Sequence, residues 1–168
     1  MTAVTGTTPD SAPGSAADWT VDGCTIGGAM AVLGEKWTVV VCREVFTGVR
    51  RFDDMRARTG IPRQVLANRL ARLVEQGILR REPYREPGAR ERHEYRLTDK
   101  GLELWPILVA LREWGDRHLA GPDGPPLRTV HRGCEAEVHA ELHCAAGHRL
   151  DTPRDVVPRP GPGARRRR

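Results

Sequence analysis

The segment Thr59–Leu79, TGIPRQVLANRLARLVEQGIL, constrains the fold more than any other part of the chain. At the helical rotation of about 100° per residue, with Leu66 as origin, Leu70 falls at about 40° and Leu73 at about −20°. These three leucines form one apolar seam that must be buried. Gln64, Asn68, Ala71 and Glu75 gather on the opposite side, and Arg72 lies just beyond them. Arg63 and Arg69 flank the seam. Gly60 and Gly77 bound the helix, and Pro62 can occupy its first turn without losing a needed hydrogen bond.

The neighbouring segments say what the helix belongs to. Cys24–Leu33 reads as a short small-residue helix ending at Gly34, and Lys36–Phe46 as a strongly apolar second helix stopped at Gly48. Arg51–Thr59 fits a third, with Phe52 and Met55 inward. After the leucine helix come two strand-like runs, Ile78–Tyr84 and Arg92–Leu97, joined through Arg85–Glu91, which carries a Pro-Gly turn signal. Thr98 then caps a long helix over roughly Asp99–Leu119, in which Pro106 forces a kink or a local break.

This order, short helix, glycine break, second helix, hairpin, long helix, predicts a winged helix-turn-helix. The fold class is mainly α with a small β-hairpin wing (α+β). In such a module the second helix of the turn enters the major groove and its N-terminal residues reach base edges. Gln64 and Asn68 suit bidentate contacts to adenine, and Arg72 suits guanine or phosphate. Arg63 and Arg69 fit phosphate or ion-pair roles, with Asp53 and Asp54 as acids within reach of Arg69. Arg85, Arg90 and Arg92 lie on or beside the wing tip, and Lys36 fits a backbone contact.

Charge supports a nucleic-acid partner. The net charge is +5, but between Arg50 and Arg96 thirteen arginines and no lysine face seven acids, a local excess of +6. That is an electrostatic footprint for double-stranded DNA. Hydrophobic residues make up 39% of the chain, enough for a small core. No run approaches the roughly 18 apolar residues of a membrane span. Residues 1–21 lack a signal-peptide pattern and read as a disordered arm, which predicts a cytoplasmic protein. No Gly-rich phosphate loop, nucleophile elbow or metalloprotease helix motif is present, which argues against an enzyme.

Several dispersed motifs carry a resemblance. They are Cys24 before the first helix, Gly34-Glu35-Lys36-Trp37, Arg43-Glu44, Arg51-Phe52-Asp53-Asp54-Met55, and the Ile61, Val65-Leu66, Arg69-Leu70, Leu73, Gly77-Ile78 series. Glu94-Tyr95-Arg96-Leu97-Thr98-Asp99-Lys100-Gly101 and Leu111 with Trp114-Gly115 complete the set. In this order the chain resembles the HxlR-type family of bacterial winged-helix transcription regulators over most of Cys24–Gly115. The resemblance implies a homodimer built by the first and last helices, bound to pseudo-palindromic operators, and more often a repressor than an activator. Pro62 departs from it, because many members carry a hydroxyl there that can cap the helix.

The resemblance also bears on Cys24. A cysteine at a helix N-terminus favours the thiolate, and several regulators of that family sense oxidants or electrophiles from this place. An oxidant or small-molecule effector acting at Cys24 is the sharper reading; the plainer one, a small, partly buried side chain near the dimer interface, is favoured over it. Residues 121–150 read as a linker and a small extension in which His131, Cys134, Cys144 and His148 have near-zinc spacing. The second pair is irregular, and His139 and His143 compete as ligands. A metal-free remnant is favoured over structural zinc, and no cofactor is required. Residues 151–168 read as a disordered basic tail. Two other readings stay open: a winged-helix protein-interaction module that does not bind DNA, and a metal-responsive regulator acting through the Cys/His tail.

Overall fold

The structure, a computed structural model, describes residue 20, residues 22–88 and residues 90–166. Most of the expected N-terminal arm lies outside the described residues. The chain divides into two units: Gly28–Glu141, and a second made of the chain up to Gly27 together with Leu142–Arg168. The elements are α1 (Thr25–Leu33), α2 (Lys36–Phe46), α3 (Phe52–Thr59), α4 (Arg63–Glu75), β1 (Leu79–Tyr84), β2 (Arg92–Leu97), α5 (Asp99–Leu102) and α6 (Trp105–Leu119).

The core of the larger unit forms where the α4 seam meets α2. Leu66, Leu70 and Leu73 are fully buried against Val41, Cys42 and Val45, with Met55 and Ile61 closing one end and Ile78 and Leu79 the other. Trp37 packs on the rim of this cluster. Burial pushes the Cys42 thiol up to about 11, which keeps it protonated and inert.

Local chemistry sets the helix ends. Gly60 adopts φ 67° and lets α3 end in a left-handed cap. The Thr59 hydroxyl donates to the Met55 carbonyl at 2.6 Å and accepts from Ile61 N at 3.3 Å. Pro62 stands one residue before α4 rather than inside it, and no side chain caps the helix start. At the far end Gly77 N donates to Val74 O and Ile78 N to Leu73 O, a Schellman closure that turns the chain into β1.

The hairpin is antiparallel, in register from Leu79↔Leu97 to Tyr84↔Arg92. Its free edge takes one more partner, because Arg51 bridges Glu94 and Tyr95 N donates to Arg50 O at 2.8 Å. The approach to α3 is thus tied to the edge of the two-stranded wing by a single bridge. Thr98 ties the wing base together: its hydroxyl donates to Gly77 O at 2.5 Å and accepts from Gly101 N at 3.1 Å. Gly101 is buried against the Ile78 carbonyl, leaving no room for a Cβ.

The long helix expected over Asp99–Leu119 is two helices. α5 stops at Leu102 and α6 starts at Trp105, with Pro106 in its first turn. Pro106 has no N–H to donate to Leu102, so the ladder is cut there and the axis restarts. The tail read as disordered carries a 3-10 turn at Pro153–Asp155, capped by Thr152, and Thr20 N donates to Arg165 O at 2.9 Å.

One buried charge links α2 to α3. The Glu44 side chain is fully buried; Arg43 donates to it from the same helix and Arg58 Nε from α3 at 2.7 Å. Burial alone would raise this carboxyl, but hydrogen bonds from Arg58 and Arg43 and their charges hold it below its ordinary value of 4.5. Glu44→Gln is expected to cost about 2–4 kcal/mol of unfolding free energy at pH 7. A carboxyl held low contributes fully above its unfolded value and loses the contribution on protonation. The gap between wild type and variant should therefore shrink as pH falls below 4.5. Urea melts at several pH values read this directly, and a pH-independent gap would refute the ion-pair account.

Candidate nucleic-acid interface

The buried seam of α4 leaves its other face to solvent. Gln64 and Asn68 are exposed one turn apart, and Gln64 Nε2 donates to Asn68 Oδ1 at 2.9 Å. This pair is the polar, uncharged centre of the exposed face. Arg63 is exposed at the helix start, with its guanidinium 5.4 Å from the centroid of the Phe52 ring.

The structure redirects two arginines. Arg69 is mostly covered and pairs with Glu35, not with Asp53 or Asp54. Arg72 is half exposed, but Nη2 donates to Ala31 O at 3.0 Å and Nη1 lies 3.8 Å from Glu35. Both therefore turn toward the α1–α2 junction and brace α4 there. The physical reason is reach: their positions on the helical wheel are as expected, but arginine is long enough to swing its charge to the nearest acid. Glu35 is the residue that sequence reasoning missed. It stood within the Gly34–Trp37 motif, but nothing in the local sequence shows that two arginines more than thirty residues away converge on it. Lys36 is exposed beside it, with Nζ 4.6 Å from the Trp37 ring centroid.

The wing is held by arginines as well. Arg51 lies over Tyr84 at 4.3 Å and donates to Glu86 Oε1 at 2.6 Å. Arg92 lies 3.5 Å from Asp53, so it ties the wing to α3. Arg96 spans Glu82 and Glu94 across the hairpin. Arg85 and Arg90 are exposed on the connection between the strands. Between the wing and the start of α4 lies a groove of about 650 Å³, lined by Phe52, Arg63, Tyr84, Arg92 and His93. The interface so assembled is an exposed amide pair on a helix, flanked by cations at the helix start and along the wing.

The remaining candidates lie elsewhere. Cys24 is an exposed thiol immediately before α1. The extension's ligand types fall into two local pairs, each on its own tight turn. His131 Nδ1 is 3.3 Å from Cys134 Sγ, and Cys144 Sγ is 3.4 Å from His148 Nδ1. Among the described residues no group of three or more His, Cys, Asp or Glu side chains is placed to hold a metal ion. His139 is engaged otherwise: its Nδ1 lies 2.6 Å from Glu113 Oε1.

The helix-turn-helix, the two-stranded hairpin wing and the exposed polar face of the second helix together define a winged-helix, DNA-binding transcription regulator. Residues 32–122 match the HxlR-like helix-turn-helix model, and the chain belongs to that family. It is 43% identical over 142 residues to an uncharacterized HTH-type transcriptional regulator of Mycobacterium tuberculosis (strain H37Rv), covering 84% of this chain and 89% of the relative. An uncharacterized HTH-type regulator of Synechocystis is 37% identical over 57% of this chain and 70% of its own length. Among solved structures, PA1607 aligns with TM-score 0.70 and 33% identity over 80% of this chain and 92% of its own. The oxidized form of the redox regulator HypR aligns with TM-score 0.52 and 27% identity over 58% of this chain and all of its own. Among the described residues no single helix is long and apolar enough to cross a membrane.

The extension is fastened to α6 by Glu113. Its carboxylate accepts from Ala140 N at 3.0 Å and meets His139. The Ala140 hydrogen bond, followed by that of His139 and its charge, holds the Glu113 carboxyl below its ordinary range against the opposing effect of burial. Glu113→Gln is expected to speed amide exchange at Ala140 by about fivefold at pH 7, the difference between a charge-assisted and a neutral hydrogen bond, since the glutamine oxygen can still accept. In the wild type the same acceleration should set in as pH falls below 4.5, once intrinsic exchange rates are corrected for. Unchanged protection of Ala140 in the variant would mean that other contacts hold the extension.

Proposed function

We propose that the chain binds pseudo-palindromic operator DNA as a homodimer and acts as a repressor whose state responds to oxidants or electrophiles through Cys24. The observation that carries the dimer is exposed apolar surface on the first and last helices. Ile26 and Met30 of α1 and Ile107 and Trp114 of α6 stand 54–73% exposed. Large apolar side chains left in water on two helices favour burial against a second copy.

In this reading two α4 helices enter successive major grooves about 34 Å apart. The Gln64–Asn68 pair meets base edges. Arg63, Lys36, Arg85, Arg90 and Arg92 meet phosphates, while Arg69 and Arg72 hold α4 in place through Glu35. Duplexes selected from a random pool should carry an inverted repeat. Replacing Gln64 and Asn68 together with Ala should cost about 1–3 kcal/mol of discrimination per half-site and leave the salt dependence unchanged. Arg90→Ala should weaken all duplexes alike and lower the slope of log K against log salt by about one per subunit. Selection of unrelated sequences, or a salt slope near zero, would sink the DNA reading.

The redox part rests on the exposed thiol beside α1 and on the likeness to HypR, itself named a redox regulator. Diamide is expected to modify Cys24 and to change the midpoint of operator binding at least tenfold, and Cys24→Ser should abolish the change. Oxidant-dependent release that persists in Cys24→Ser would remove the thiol from the mechanism.

A further inference from the structure

A second concavity lies away from the α4 face, wholly within the larger unit. It is a cleft of about 770 Å³ between α2, α6 and segment 126–130 of the extension. Its walls are apolar: Val40 and Phe46 from α2, Trp105, Leu108 and Leu111 from α6. Phe46 and Trp105 are in ring contact at 5.3 Å between centroids. This size and lining match a site for a drug-sized molecule.

Four arginines line the cleft, Arg43, Arg58, Arg112 and Arg128. Arg128 Nε donates to Glu137 Oε1 at 2.8 Å. Glu44 is already consumed by Arg43 and Arg58. Arg112 is the informative one. It is four-fifths covered, its Nη2 donates to Val138 O at 3.0 Å, and its Nε is buried with no hydrogen-bond partner. Asp116 is 3.8 Å from that Nε, beyond hydrogen-bond reach. Arg112 is thus the one of these four arginines with no carboxylate in hydrogen-bond reach, and its guanidinium can take an anionic oxygen at the edge of the apolar cleft.

The cleft is distinct from the surface assigned to the dimer. On the α6 wheel Trp105, Leu108 and Arg112 share one side, and Ile107 and Trp114 lie roughly opposite. We propose that this cleft binds an amphipathic small-molecule anion, a carboxylate carried on an aromatic body. The ring system lies along Trp105 and Leu108, and the carboxylate accepts from Arg112. The extension then has a task of its own, because residues 126–130 form the outer wall and Arg112 and Glu113 fasten that segment's continuation to α6. The binding stands whether or not the chain acts on DNA as a dimer.

The full chain is titrated by calorimetry with 2-naphthoate and, separately, with 2-naphthylmethanol, a neutral molecule of the same shape. Naphthoate is expected to bind once per chain with Kd on the order of 100 µM, and the alcohol at least tenfold more weakly. Arg112→Gln should bring naphthoate down to the affinity of the alcohol, Leu108→Trp should block both, and thermal melts show that each variant is folded. Asp116→Asn, which leaves Arg112 in place, should tighten naphthoate several-fold and leave the alcohol unchanged. Equal affinities for the two molecules, indifference to both Arg112→Gln and Asp116→Asn, or no saturable binding would overturn the proposal. So would naphthoate affinity that falls as protein concentration rises, because a second copy would then be filling the cleft.

Discussion

Packing of the α4 leucine seam on α2 is the constraint from which the rest follows. Leu66, Leu70 and Leu73 are each fully buried against Val41, Cys42 and Val45. Interiors are packed too densely for the helix to roll by even one residue position without opening a void. The orientation of Gln64 and Asn68 toward solvent is therefore fixed by the leucines on the other side. Gly60 and the Gly77 closure set where the helix begins and ends, and Thr98 and Gly101 seat the wing at its C-terminal end. A reading surface made from a few exposed side chains is positioned by residues that never touch the partner.

Arginine plays two physical roles in this molecule. Arg43 and Arg58 on Glu44, and Arg69 and Arg72 at Glu35, act as internal struts between helices. Arg51 does the same at the wing, whereas Arg92 leans on Asp53 from an exposed position. The local excess of positive charge is therefore smaller, as a mobile field, than the count of arginines implies. It is concentrated at the start of α4 and on the wing connection. Guanidinium suits both tasks because its planar fork binds a carboxylate or a phosphate in the same manner. One residue type can brace the fold and meet an anionic backbone.

The extension after α6 belongs in part to the winged-helix unit. Its segment up to Glu141 is fastened to α6 through Arg112 and Glu113 and forms the outer wall of the apolar cleft. Its Cys and His residues form two separate turn-borne pairs. The spacing that suggested a metal site thus also has a local explanation, each cysteine facing the histidine three or four residues away across one turn.

Much of the architecture was legible from local pattern. The seam of α4, the two glycine stops, the hairpin with its Pro-Gly connection and the break at Pro106 each follow from side-chain periodicity or from what glycine and proline do to a backbone. So does the identity of the exposed face, because a helix that buries three leucines must expose what lies opposite; the family was legible only as a resemblance carried by the dispersed motifs. Partner choice was not legible. That Arg69 and Arg72 turn to Glu35, that Arg51 reaches Glu86, that residue 51 bridges the edge of the wing and that a mostly covered arginine borders an apolar cleft all depend on which distant segments meet. Periodicity specifies a face because it acts within one element. Ion pairs and cavities form between elements, and only the tertiary fold sets those distances.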